Sequence, residues 1–515
     1  MTDSIITLLM TMISYITGNL AYNPGIPLLF TQSFFWGFFT VVLAVYSVVY
    51  KNLQLRNAFL FIVSLYFYYK SSGWFVVMLM VSILAHYYIG NQIYKSKNVT
   101  VRKWLVAASV FVSLLLLSYF KYTYFFTALF NDIFSTDYTA VNYLSLWSNS
   151  LFGSHFDVGK ILLPAGISFF TFHALSYTID IYKGKATPAK NVADFGFYLA
   201  FFPQLVAGPI IRASEFIPQV YKEYILTKEE FGQAVFLILC GLVKKMVISD
   251  YISLNFVDRV FDTPGAYTGL ENLIAVYGYA LQIYCDFSGY TDIAIGIALL
   301  LGFRIPPNFN SPYKANNLTD FWRRWHISLS SCLRDYLYIA LGGNRKGKAR
   351  MYVNLIITMV LGGLWHGANW RFVIWGAIHG LGLTIHKLVP QRYHFSGKNA
   401  TSRFTARFLT FNVVCFAWIF FRAADMTVVK DMMGQMLFHF DVSILPQFVS
   451  GYWKVTLILL AGYCAHWFPD AWKLTVRNSF IGYPVFTKVI VSVVVIFFIY
   501  QFKTSVLQPF IYFQF

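Results

Sequence analysis

Charge is scarce in this chain. Of its 515 residues only 12% are Asp, Glu, Lys or Arg, while 57% are hydrophobic and 20% aromatic. That little polar surface cannot cover a water-soluble globule, so a lipid bilayer is the solvent for most of the chain. Cysteine is also rare. Cys240, Cys285, Cys332, Cys415 and Cys464 stand alone in or beside apolar stretches, without CxxC spacing, and read as small core residues rather than disulfides or metal ligands. No internal repeat, low-complexity tract or phosphate-binding glycine motif occurs. Paired short or Gly/Pro-broken spans in matching halves, a pointer to transporters, are lacking too.

What the chain has instead is long apolar runs. About 20 apolar residues cross roughly 30 Å of hydrocarbon as a helix. Runs of that character lie at 4–50, 71–94, 104–120, 195–211, 351–370, 372–386, 408–421, 455–469 and 489–502, and 57–69, 231–243 and 272–303 bring the expectation to eleven to thirteen membrane segments. Several are short, which points to tilted, re-entrant or half-spanning helices. The runs are continuous and do not alternate with period two, so an all-α polytopic membrane protein fits and a barrel does not. No separate soluble domain is visible, and residues 1–515 read as a single membrane domain.

The imbalance of 40 Lys and Arg against 22 Asp and Glu gives a formal charge of +18. Nucleic acid is one partner for such a balance, but the basic residues are scattered in short loops beside apolar spans. Positive-inside topology with contact to anionic membrane lipid explains them better. Lys95/Lys97/Arg102/Lys103, Lys183/Lys185/Lys190, Arg345/Lys346/Lys348/Arg350 and the cluster from Lys387 to Arg407 then mark the cytoplasmic side, and the acidic segment 131–159 the outside. The amino-terminal "MTDSIITLLMTMISYITGNLAYNPG" lacks a basic n-region and reads as a retained apolar or interfacial helix.

Candidate chemistry concentrates between residues 282 and 386. At 100° per residue, 321–338 puts Trp322, Trp325, Leu329, Cys332, Leu333 and Tyr336 in one apolar arc. Arg323, His326, Ser330 and Arg334 fall within about 100° on the other side. The pattern predicts an amphipathic helix, capped by Asn317 or Thr319, with Asp320 near its first turn. Its polar face is either a solvated surface or a site for an anionic acyl donor. His366, in "LGGLWHGANW", lies in a run without charge from 351 to 370, where an ionisable side chain usually faces a cavity or a partner. Gly362, Gly363 and Gly367 leave room for a neighbouring helix or a substrate. His366 either bridges two helices or works as a base, because a neutral imidazole takes and returns a hydroxyl proton near neutral pH. Asp286, Ser288, Tyr290 and Asp292, with Asn308 and Asn310, either line a tunnel or hold helices together; Trp325, Ser330, Trp365 and Asn369 join them as lining candidates. His379 and His386 share a face but supply too few ligands for zinc, so no metal site is expected. His173 reads as a packed core residue.

The stretches "GISFFTFHALSYTIDIYKGK" (166–185), "FFPQLVAGPIIRASEFIPQ" (201–219), "YCDFSGYTDIAIGIALLLGFRIPPNFNSPY" (284–313), "DFWRRWHISLSSCLRDYLYIALGGNRKG" (320–347) and "LGGLWHGANWRFVIWGAIHG" (361–380) resemble the membrane-bound O-acyltransferase (MBOAT) family. Within it they are similar to the branch of alginate O-acetyltransferase membrane subunits. The resemblance runs from about residue 50 to the terminal "QPFIYFQF", while residues 1–50 match less clearly. Residues 160–390 correspond to the catalytic core and 404–515 to carboxyl-terminal membrane helices.

The resemblance implies the MBOAT fold, a ring of tilted helices around a central tunnel. It maps the family's invariant histidine onto His366 and its second important polar position onto His326. It further implies that acetyl from a cytosolic donor, acetyl-coenzyme A, crosses to a periplasmic or extracytoplasmic partner that acetylates an exopolysaccharide, in a bacterial inner membrane. No bound cofactor is expected. Arg323, Arg324, Arg334, Arg345 and Lys346 are the candidates for holding the donor. Two alternatives stand beside this one: D-alanyl transfer from a carrier protein toward teichoic acid, and a polysaccharide or ion transporter without chemistry.

Overall fold

The structure is a computed structural model and describes residues 18, 20–25, 27–389, 399–502 and 508–511. Most of the amino-terminal helix expected from the sequence, and residues 390–398 of the last basic cluster, lie outside that range. The described residues contain helices and no strand. They form two compact units, one from the described part of 1–120 with 141–225, the other from 121–140 with 226–515.

The first unit contains α1 (Ser33–Val49), α2 (Leu53–Ser72), α3 (Val76–Lys95), α4 (Val99–Leu117), α5 (Ile167–Tyr182), α6 (Val192–Ala200) and α7 (Ala213–Val220). α5 packs against α3 and α4, and α6 against α2. Buried polar side chains tie its helices together. Arg56 on α2 donates to Val220 O at 2.6 Å and Lys222 O at 2.8 Å, satisfying carbonyls that the end of α7 leaves open. His173, wholly buried on α5, accepts the Ile211 N–H at 3.1 Å, in keeping with a packed core residue. One expected span is absent. Between 195 and 211 the chain leaves α6 at Ala200, makes one turn at Phe202–Leu205 and then runs without helix to Arg212. Pro203 and Pro209 break the run, and every residue from 195 to 211 is buried. Non-helical backbone is tolerated at membrane depth only when protein surrounds it.

The second unit is built on α8 (Lys228–Leu242) and α9 (Gly269–Leu300), which pack along their length. It continues with α10 (Leu318–Arg324), α11 (Ile327–Cys332), α12 (Lys348–His366), α13 (Trp370–Leu388), α14 (Ala400–Arg422), α15 (Met426–Phe438), α16 (Trp453–Trp467), α17 (Asp470–Gly482) and α18 (Val485–Gln501). α12 and α13 form a tight antiparallel pair, with α14 against α13 and α9. Glycine makes the α12–α13 approach possible. A Cβ on Gly363 would collide with the Phe372 carbonyl, and one on Gly376 with the Met359 carbonyl.

Five helical runs among the described residues are long and apolar enough to span: Leu53–Lys95, Val99–Phe134, Lys228–Asp262, Gly269–Leu300 and Ala400–Arg422. The bent pair Leu445–Gly451 and Trp453–Trp467 makes a sixth if it is one span. The other described runs, 195–211 excepted, give shorter or more polar helices, so five or six full-length spans stand where eleven to thirteen membrane segments were expected. α18 carries exposed Phe486, Val489, Val493, Phe497 and Phe498, a surface that suits lipid and not water. Cys285, Cys332 and Cys415 are buried as expected. Cys464 is exposed on α16, so it is not a core residue.

Ion pairs join the helices of the second unit. Lys245 donates to Asp286 at 2.5 Å and Asp250 at 2.7 Å, and Lys244 meets Asp292 at 2.6 Å. Asp286 and Asp292 therefore tie α9 to the turn after α8. Lys245→Met would strand the buried Asp286 carboxylate and the half-buried Asp250 and is expected to cost about 3–5 kcal/mol. A lowered melting midpoint in detergent checks this; an unchanged midpoint would mean the pair carries no stability.

Candidate functional site

His366 is the last residue of α12. The chain then turns extended at Gly367, and Asn369 caps α13 by accepting from the Arg371 N–H at 3.1 Å. The imidazole is 5% exposed and lies among aromatic rings: Trp365 at 4.9 Å, Trp375 at 5.2 Å and Phe421 at 5.2 Å between centroids. Trp418 stacks on Trp375 at 5.9 Å, and His379 stands on the other side of Trp375 at 4.8 Å, its Nδ1 accepting from Trp322 Nε1 at 3.3 Å. Gly363 and Gly367 admit α13 and the Phe372 ring, so the neighbour they make room for is a helix.

The helix predicted over 321–338 is not continuous. α10 stops at Arg324, Trp325 is extended, and His326 adopts a left-handed conformation (φ 44°, ψ 55°) at the start of α11. From Leu333 to Tyr338 the winding widens to a π-helix. The predicted polar face does not form: Arg323 and Arg334 are exposed, Ser330 is half-buried, and His326 is fully buried. Hydrogen bonds to Asn308, well back in the chain, hold the break. Asn308 is wholly buried and its Oδ1 accepts from the Ser328 hydroxyl at 2.6 Å and N–H at 3.2 Å, while its carbonyl accepts the Ile327 N–H at 3.0 Å. The Ser330 hydroxyl donates to Trp325 O at 3.2 Å. Left-handed backbone is rare for a residue with a Cβ and persists only where its surroundings hold it. At the start of α10, Asn317 is the cap and accepts the Asp320 N–H at 2.8 Å.

This turn brings the two histidines to one aromatic residue. The Trp365 ring lies 6.1 Å from His326 and 4.9 Å from His366. Phe287 of α9 closes the far side of His326 at 4.6 Å. Trp325 packs on Trp418 at 5.0 Å behind them. His366, His326, Trp365 and Trp325 thus converge, and Asn308 and Ser330 support the turn without joining the rings.

Other sequence candidates fall elsewhere. Asp286 is committed to Lys245, and the Tyr290 ring stands edge-on to Phe510 at 4.7 Å, while Ser288 is buried on the same helix. Asn310 and Asn369 are exposed, the first accepting from Arg324 Nη1 through its carbonyl, the second a helix cap. Arg324 pairs with Asp320 at 2.8 Å and Arg334 with Asp335 at 2.6 Å. Arg323, Arg345 and Lys346 are exposed. Nearby, outside the spans, Lys314 bonds Asp470 at 2.7 Å and holds that carboxyl below the usual carboxylate range.

Several residues at the site went unread in the sequence. Phe287, Trp375 and Phe421 carry no signal against an aromatic-rich background. Lys121 and Tyr122 did carry one. Lys121 Nζ donates to Trp365 O at 2.7 Å and His366 O at 2.9 Å, and the Tyr122 hydroxyl donates to Leu364 O at 2.8 Å. A lone lysine inside an apolar run is a flag in itself.

Comparison with known proteins places this geometry. The profile of the membrane-bound O-acyltransferase family matches residues 189–426. A "Peptidoglycan O-acetyltransferase" of Helicobacter pylori is 36% identical, over 78% of this chain and 77% of its own. A "Probable alginate O-acetylase AlgI" of Pseudomonas aeruginosa is 38% identical, over 74% and 69%. A "Teichoic acid D-alanyltransferase" of Bacillus subtilis is 30% identical, over 50% and 68%. All three are named for group transfer, which sets the transporter alternative aside. With His326 and His366 converging inside the matched region, the chain belongs to the membrane-bound O-acyltransferase family and is an O-acyltransferase of the membrane.

Proposed function

We propose that the enzyme transfers acetyl from acetyl-coenzyme A, supplied on the cytoplasmic side of a bacterial inner membrane, toward an extracytoplasmic polysaccharide through a partner protein. The observation that carries this reading is the enclosed imidazole of His366 at a helix end, in a chain whose relatives at 36–38% identity are named as O-acetyl enzymes. In this reading His366 is the general base. It removes the proton of an acceptor hydroxyl as the oxygen attacks the thioester carbonyl; the C–S bond breaks and the thiolate leaves with the proton that the imidazolium returns. His326 lies one ring away, fully buried, and acts on the oxygen that gains charge or on the set of Trp365. The apolar rings exclude water that would otherwise hydrolyse the thioester. The donor's phosphates rest on the exposed cations Arg323, Arg345 and Lys346. Arg324 and Arg334 are already paired with carboxylates and contribute less.

Teichoic acid D-alanyl transfer has weaker support, because those relatives match half of the chain at 29–30% identity. Purified protein supplied in parallel with labelled acetyl-coenzyme A and with a D-alanyl carrier protein separates the two. Thioester consumption only from the carrier would overturn the acetyl reading.

His366→Ala is expected to lower acetyl transfer by about 10²–10⁴-fold while the protein still inserts. Near-normal transfer would remove His366 from the base role. At 326 the informative change is His326→Asn, since asparagine tolerates left-handed backbone. It should cut turnover yet keep the melting midpoint, whereas His326→Val should lower both. Arg345→Gln with Lys346→Gln should raise KM for acetyl-coenzyme A about tenfold with turnover little changed. An unchanged KM would place the donor's phosphates elsewhere.

A further inference from the structure

Between Lys103 and Asp132 the chain carries one formal charge, Lys121. It lies within the apolar run Val99–Phe134, where a charged lysine is costly unless something compensates it. At that point the helix widens into a π-turn over Ser118–Tyr122. Such turns cost regular hydrogen bonding and are frequent at functional sites.

What the turn achieves is visible at the end of α12. A helix leaves its last carbonyls without backbone donors, and the chain after His366 goes extended, with Gly367 N–H reaching back only to Gly363 O. The carbonyls of Leu364, Trp365 and His366 therefore lie past the last backbone donor of α12, at the residue that bears the imidazole. Tyr122 fills the first and Lys121 the second and third, at 2.7–2.9 Å. The ammonium also meets the negative end of the α12 dipole.

Rings at 4.9–5.2 Å enclose the His366 imidazole, and the backbone that carries it is held by Lys121 and Tyr122. We propose that Lys121, assisted by Tyr122, is a positioning residue that locks the carboxyl end of α12 and so aims the His366 imidazole at the reacting hydroxyl. This rests on His366 being the base. A base displaced by about 1 Å can lose up to 10²-fold in rate, so the clamp bears on turnover more than on donor binding.

The test uses the full-length protein in detergent or proteoliposomes, with labelled acetyl-coenzyme A and a polysaccharide or small hydroxyl acceptor. Lys121→Met is expected to reduce kcat about 10- to 100-fold. KM for the donor should stay within about twofold, because the clamp touches no donor-binding cation. Lys121→Arg, which can still donate to two carbonyls, should restore most of the turnover, and Tyr122→Phe should lower kcat by about 3- to 10-fold. A purely structural lysine would instead lower the melting midpoint and active fraction, with kcat per folded molecule unchanged. Wild-type kcat in Lys121→Met, beside an inactive His366→Ala, overturns the clamp alone. Full activity in His366→Ala overturns the base assignment and the clamp with it. If Lys121→Met does not accumulate, wild-type kcat in Tyr122→Phe, or no activity in well-folded Lys121→Arg, overturns the proposal.

Discussion

At membrane depth a backbone carbonyl without a donor has no water to turn to, and the candidate site lies where two helices end. α12 stops at His366 and α14 stops at Arg422, and the Phe421 ring lies 5.2 Å from the His366 ring. Each end leaves open carbonyls, and each is met by a cation from elsewhere in the second unit. Lys121 serves Trp365 and His366; Arg371 serves Phe421 at 2.9 Å and also Ala423. A helix end offers an exposed, orientable residue, and the cation makes that end tolerable in an apolar setting. The arrangement trades regular helix for a fixed imidazole.

The same logic explains the turn at His326. There the chain accepts left-handed backbone at a bulky residue, and Asn308 takes up the hydrogen bonds that a continuous helix would have made for itself. The result carries His326 away from the exposed arginines beside it in sequence and into contact with Phe287 and Trp365. A continuous helix could not have separated Arg323 from His326 in this way, since residues three apart lie on one face. Strain of this kind, localised at one residue and supported by a buried asparagine, is of the sort that clusters at functional sites.

Two groups of polar residues in the second unit contrast sharply. Asp286, Asp292, Lys244 and Lys245 neutralise one another between helices and hold the scaffold. The two histidines are surrounded by rings instead. Along α9 the division occurs between adjacent residues: Asp286 points to Lys245 and Phe287 to His326. One helix therefore serves scaffold and site on neighbouring faces, about 100° apart.

Much of this was open to inspection in the amino-acid order. Scarce charge and unbroken apolar runs dictate a helical membrane protein, because only helices satisfy such backbones without water. An ionisable His366 in a run free of charge stands out for the same reason, and Asn317 before Asp320 names a helix start. The motifs around 284–380 point to the family. What periodicity misread is the stretch 321–338, because the period assumes one helix and the break depends on Asn308, some twenty residues away. It also took 195–211 for a span, since a run of buried apolar residues looks alike whether lipid or protein covers it. Composition and local pattern thus determined the solvent, the helical class and the candidate histidine. Only the tertiary structure decided which polar groups pair with one another, where the helices break, and that a lysine more than two hundred residues away closes the end of α12, because those partners are chosen by position in space and leave no trace in local spacing.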